Sequence, residues 1–189
     1  MTAHTLAQKW LPVSHFRERH SAAMPGNPAA ILEILTHLEV EDDKIIRTML
    51  RLREAPSRIW GYVGGRSGLR ERPGFSLADF TLLERNGNGL VYGLVGRFWR
   101  HDFGLIPLRT ADDFLQAAAP GCARLVMVYS VEQDGEGQQV LTTETHVFCP
   151  DRRSRLLFSA YWVMIRLGSG YIRRRILSRV RQRLDASRA

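Results

Sequence analysis

Lysine is almost missing from this chain, with two lysines against twenty-five arginines in 189 residues. Cysteine is as scarce. Cys122 and Cys149 lie too far apart for a zinc-type spacing and are too few for a disulfide framework, so both are expected to be ordinary core thiols. Long apolar runs are missing too. Leu156 to Ile165 reaches about half of the roughly 20 residues that span a bilayer before Arg166 interrupts it, which argues against a transmembrane helix. The opening MTAHTLAQKWLPVSHF has no basic segment followed by an apolar one, so no secretory signal and a cytoplasmic location are expected. Gly61-Tyr62-Val63-Gly64-Gly65-Arg66-Ser67-Gly68 is followed by no Gly-Lys-Ser/Thr, and a surface loop is expected there rather than a phosphate loop. Repeats and low-complexity tracts are absent.

What is present is ordinary for a folded domain, at 44% apolar and 24% charged residues, and the length suits one core. A single domain over 1–189 is expected, with its core at about 11–185. The net charge of +8 is unevenly spread. Residues 151–189 carry eleven arginines against Asp151 and Asp185, a net of +9, which leaves the first 150 residues at −1. A basic tail on a near-neutral body points to an anionic partner less strongly than a basic body would.

Residues Leu11 to Ala23 suit a first strand. Asn27 and Pro28 then open a helix over Pro28 to Leu38, and a second helix is expected from Glu41 to Glu54. From Phe80 to Trp99 the period becomes strand-like around Asn86-Gly87-Asn88-Gly89. A four-residue loop there pairs Leu83 with Tyr92 and Glu84 with Val91. Phe103 to Arg109 reads as a further short strand, and Thr110-Ala111-Asp112-Asp113-Phe114 reads as a capped short helix ending at Pro120-Gly121. Cys122 to Gln133 and Gln138 to Cys149 form a second hairpin about Asp134-Gly135-Glu136-Gly137. This turn sets Thr142, Glu144 and His146 opposite Tyr129, Met127 and Leu125.

Phe158, Tyr161, Trp162, Ile165, Ile172, Ile176 and Val180 recur at helical steps, so Ser154 to Leu184 reads as one helix of about 45 Å. Gly168-Ser169-Gly170 should weaken or bend it. The expected fold is α+β: a curved antiparallel sheet of about six or seven strands wrapped on the long C-terminal helix, with two short helices after the first strand. A single helix across a curved sheet leaves a gap suited to a ligand.

The segments Leu90-Val91-Tyr92-Gly93-Leu94-Val95-Gly96-Arg97-Phe98-Trp99, Phe114 with Pro120-Gly121, Thr143-Glu144-Thr145-His146-Val147, Tyr161-Trp162 and Gly168-Ser169-Gly170-Tyr171-Ile172-Arg173 carry a resemblance. Over roughly Val13 to Leu184 the chain resembles a bacterial branch of the SRPBCC (START/Bet v 1-like, polyketide cyclase) superfamily, whose fold is the helix-grip. The resemblance implies an arginine at the position where this chain has His146. The resemblance implies a cavity between sheet and helix for a lipid-like or polyketide-like molecule. It implies no catalysis, since the superfamily holds carriers and sensors as well as cyclases.

Tyr92, Leu94, Glu144, His146, Tyr161, Trp162 and Arg173 are the candidate ligand-binding residues. Glu144 and His146 share a strand face and can work as an acid/base pair. Alternation favours a solvated convex face for them, with Thr143, Thr145 and Val147 on the concave one. Arg173 falls inside the apolar arc of the final helix. Its guanidinium suits a ligand carboxylate or phosphate; the alternative is that its stem packs while the guanidinium reaches a carboxylate such as Glu84 or Glu144, or water. Tyr92, Tyr161 and Trp162 supply an aromatic wall or plain core.

Carriage of an apolar small molecule without catalysis is the leading expectation. The alternative is a cyclase- or hydratase-type enzyme, which needs two of Glu144, His146, Tyr92 and Arg173 to face one cavity. No cofactor and no metal site are expected. Nucleic acid is disfavoured because the closing arginines lack exposed stacking aromatics, while weak contact with an anionic membrane stays open. A homodimer is also open, because Leu125 to Val131 is apolar on both faces.

Overall fold

The computed structural model describes residues 2–36, 79–100, 102–117 and 120–186. The helix expected at Glu41 to Glu54 and the glycine-rich stretch at 61–68 lie outside them.

Thr2 opens a helix that the sequence pattern did not announce, its hydroxyl accepting from the Thr5 amide. This helix, α1 (Ala3–Trp10), turns Ala3, Leu6 and Ala7 inward. The first strand therefore starts later than expected, as β1 (Phe16–Met24), with Leu11 buried beside α1 instead of in the sheet. Asn27 caps α2 (Pro28–Thr36) by accepting from the Ala30 amide. The first hairpin is β2 (Thr81–Asn86) and β3 (Gly89–Gly96). A short helix α3 (Ala111–Gln116) follows, closed by a Thr110/Asp113 capping box. The second hairpin is β4 (Ala123–Gln133) and β5 (Gln139–Phe148), and Asp151 caps the long α4 (Arg152–Ala186).

The described strands form one antiparallel sheet in the order β1-β5-β4-β3-β2. The molecule is α+β, with five strands among the described residues and a long C-terminal helix. Phe103 to Arg109 is not a strand: Phe103 and Gly104 take positive φ in a turn, and the backbone bonds to the end of β3 are isolated ones, Ile106 donating to Val95 and Phe103 accepting from Arg97. In the first hairpin Glu84 does face Val91. Leu82, not Leu83, meets Tyr92, because a bulge between them frees Leu83 to enter the core beneath α3.

The β4–β5 register also differs from expectation. Five residues, not four, connect the strands, with Asp134 Oδ1 accepting from the amides of Glu136 and Gln138 and Gly137 at φ 82°. Gln133 then faces Gln139, and Thr142, Glu144 and His146 oppose Ser130, Val128 and Val126. Cross-strand partners share a face, so one residue of loop decides which core each side chain joins.

Both faces are covered. On one, α2 and α4 lie over Met24, Leu90, Met127, Tyr129, Val131 and Leu141, continuing along α4 to Leu94, Val147, Phe158, Tyr161 and Trp162. On the other, α1 and α3 lie over Val91, Val95, Val126 and Val128. The double apolarity of β4, which left a second subunit open, is satisfied within the chain by α1. Both cysteines are buried and free, and burial pushes the Cys149 thiol up to about 12.

Two predictions arise from this packing. A Cβ on Gly93 would sit 2.7 Å from both Leu83 Cδ1 and Phe114 Cδ2. Gly93→Ala should therefore cost about 1–3 kcal/mol in urea unfolding, and a neutral result would contradict the packing of α3. Separately, Glu84 Oε2 accepts from Lys9 Nζ at 2.7 Å and Trp10 Nε1 at 2.8 Å, tying α1 to β2. The Lys9 bond, opposed by burial and helped by Trp10, holds the carboxyl below its usual 4.5. A depressed carboxyl contributes its full stability above the unfolded value and loses it as pH falls through the folded value. The gap in Tm between wild type and Glu84→Gln should thus narrow as pH drops below 4.5; a constant gap would contradict the tie.

Candidate functional site

The two sheet faces hold two separate polar centres, and the candidate residues divide between them. Tyr92, Leu94, Tyr161, Trp162 and Arg173 lie on the α4 face, whereas Glu144 and His146 lie on the α1 face.

Arg173 comes from the middle of α4, between the cluster of Phe158, Tyr161 and Trp162 and that of Ile176, Leu177 and Val180. It is 8% exposed. Its Nη1 donates to Thr143 Oγ1, and its Nη2 donates to Thr145 Oγ1 and, at 3.3 Å, to Met127 Sδ. Its Nε is buried with no hydrogen-bond partner. Among the described residues no carboxylate stands within ion-pairing distance of it. Glu84 and Glu144, its expected partners, project from the other face, and Glu18, buried on this one, holds His20 at 2.9 Å. Effective desolvation of such a charge costs several kcal/mol. Neutral acceptors return only about 1.5–3 kcal/mol each when the donor is charged.

Beside this cation stands the Tyr129 phenol, with Tyr92 packed against it. Tyr129 donates to Met127 Sδ at 3.7 Å, and Tyr92 meets its ring edge-on at 6.4 Å. Burial raises both hydroxyls above their usual 10, and at Tyr129 the Arg173 charge pulls the other way. Tyr161 and Trp162 pack on Phe158 at 5.6 and 5.7 Å, with Leu94 in the same cluster. Leu125, on the central strand and facing α4, is only half-buried, as are Tyr92, Ile165 and Ile172.

On the opposite face, Glu144 and His146 are each 1% exposed. The solvated convex face expected for them is instead roofed by α1. Glu144 Oε2 meets His146 Nε2 at 2.8 Å, and Oε1 accepts from Arg17 at 2.9 Å with Arg19 at 3.6 Å. Ser14 Oγ lies 3.3 Å from His146 Nδ1, and His4 of α1 stacks over the His146 ring at 5.7 Å. Burial pushes the Glu144 carboxyl up, but the bonds from His146 and Arg17 outweigh it and leave it below the usual glutamate value. For His146 burial wins over the Glu144 bond and lowers the imidazole. An ionised carboxylate beside a neutral imidazole can accept and relay a proton.

No family model, curated protein or solved structure matches the chain.

Sequence reasoning missed His4, Ser14 and Arg17, which reach His146 and Glu144 from 127 to 142 residues away. Strand alternation could have found Arg17 and Arg19, since β1 pairs with β5 residue by residue, Arg17 against His146 and Arg19 against Glu144. Nothing local marked His4.

Proposed function

We propose that the chain binds a largely apolar small molecule bearing an anionic head, held between the sheet and α4 in the manner of a helix-grip protein. One observation carries this reading: a buried guanidinium with a free Nε and no carboxylate among the described residues to neutralise it. A ligand carboxylate or phosphate supplies the missing charge, and the fork geometry of arginine suits either. The two apolar clusters flanking Arg173 along α4 would take the tail. Half-buried Leu125, Ile165, Ile172 and Tyr92 support a cleft between them, since a central-strand side chain beneath a helix is otherwise fully covered. The resemblance to the SRPBCC superfamily agrees with this reading.

Catalysis fits less well. The four groups split two and two: Glu144 and His146 project from the face opposite Arg173 and Tyr92 and are 1% exposed beneath α1, so the acid/base pair does not meet a ligand held at Arg173. Native mass spectrometry of gently purified protein tests the proposal. A bound anionic lipid-like adduct that leaves on delipidation and returns on titration is expected; a protein that never carries or accepts one would overturn it.

A second reading has its own support. Leu156, Leu157 and Val163 are exposed on α4 among exposed Arg152, Arg153, Arg155 and Arg166. This pattern suits shallow contact with an anionic membrane, through which a lipid-like ligand would be exchanged. No helix among the described residues is long and apolar enough to cross one.

A further inference from the structure

We propose that His4, Glu144 and His146 form a site for a divalent transition ion of the zinc class, on the α1 face and separate from Arg173. Two imidazoles and one carboxylate are a common zinc donor set with a fourth position left open. His4 Nδ1, Glu144 Oε2 and His146 Nε2 all lie within 4.8 Å of one another. Oε2 is 2.8 Å from His146 Nε2 and 4.0 Å from His4 Nδ1. A tetrahedral ion with ligands at about 2.0–2.1 Å sets its donor atoms roughly 3.3 Å apart. Seating it opens the first separation by about 0.5 Å, closes the second by about 0.7 Å, and brings the two imidazole nitrogens, which lie within 4.8 Å, closer by up to about 1.5 Å, a movement the half-exposed His4 side chain can supply by rotation.

A second observation points to a ligand. His4 Nδ1 is buried and has no hydrogen-bond partner, although 43% of the side chain faces solvent. A buried imidazole nitrogen turned toward a carboxylate and bonded to nothing is costly unless something binds it. The surroundings prepare the other two donors. In this structure Nε2 donates to Glu144 Oε2; on ion binding the proton would move to Nδ1, where Ser14 Oγ can accept it, and Nε2 would turn its lone pair to the ion. Arg17 and Arg19 hold Glu144 Oε1 and leave Oε2 toward the histidines. Their positive charge places the affinity below that of a structural zinc site, and the open side of His4 gives solvent the fourth position. A bound ion would pin α1 to β5.

The test uses the full chain, tag-free and metal-stripped, titrated with Co²⁺ as a visible probe and with Zn²⁺ in competition. The expected result is one ion per chain, tetrahedral Co²⁺ absorption without a thiolate charge-transfer band, and a higher Tm with Zn²⁺. His4→Gln alters a half-exposed side chain and should fold normally by circular dichroism. It should weaken binding by more than about 100-fold, beyond the roughly 10–100-fold loss typical of an outer-shell partner. His20→Gln, on the other face, should bind like wild type. Absence of binding, a thiolate band, or unchanged affinity in folded His4→Gln would each overturn the site.

Discussion

Glu144→Ala should destabilise the fold by about 3 kcal/mol, measured as a fall in urea midpoint at unchanged m-value. Three losses combine. His146 Nε2, 1% exposed as a residue, is left without its 2.8 Å partner, and an unmade bond at a buried nitrogen costs about 1–3 kcal/mol. The deleted carboxylate leaves space beneath α1 that the sheet cannot close. Arg17 and Arg19 lose their shared anion, but they are 42% and 58% exposed and return to water, which keeps the total below the upper range for a broken buried pair. Glu144→Gln keeps the volume and one bond to His146, so it should cost clearly less. A loss under about 1 kcal/mol for the alanine variant would mean that the cluster is solvated, contrary to its burial.

Arg173→Met should act in the opposite direction on stability. Its charge is held by two threonine hydroxyls and a thioether, none of them an anion. A well-packed apolar side chain of similar length removes a desolvation cost of several kcal/mol, against about 1–3 kcal/mol for any threonine hydroxyl that does not turn to another partner. The unliganded Arg173→Met protein should therefore melt no lower than wild type, while its affinity for an anionic ligand falls by about 10–100-fold, the worth of a charged hydrogen bond. Arg173→Lys keeps the charge without the planar fork and should fall between the two. If Arg173→Met instead unfolds the protein by several kcal/mol with no effect on ligand, the arginine is purely structural.

The two predictions separate what sequence could and could not convey. Periodicity was enough for α4, since Phe158, Tyr161, Trp162, Ile176 and Val180 point to the sheet as their spacing requires, and it put Arg173 in the buried arc. Alternation likewise put Thr143, Thr145 and Val147 under α4. The Glu144–His146 centre escaped for two physical reasons. The length of the β4–β5 loop was set by Asp134 side-chain bonds, which moved the cross-strand partners by one residue. The roof over the pair is α1, a two-turn helix whose apolar face is only Ala3, Leu6 and Ala7, a pattern too short to stand out. The missing partner of Arg173 was equally invisible, because pairing with Glu84 or Glu144 depends on which face each strand presents.

The central claim is that a buried guanidinium receives an anionic head. Its most direct measurement is a paired titration of delipidated protein with a fluorescent long-chain carboxylic acid and with its methyl ester. These ligands share a tail and differ in the charge that Arg173 would meet. The acid should bind more tightly than the ester by about 10–100-fold in wild type, and the preference should collapse in Arg173→Met. Equal binding of acid and ester in wild type, or a preference that survives in Arg173→Met, would contradict the claim.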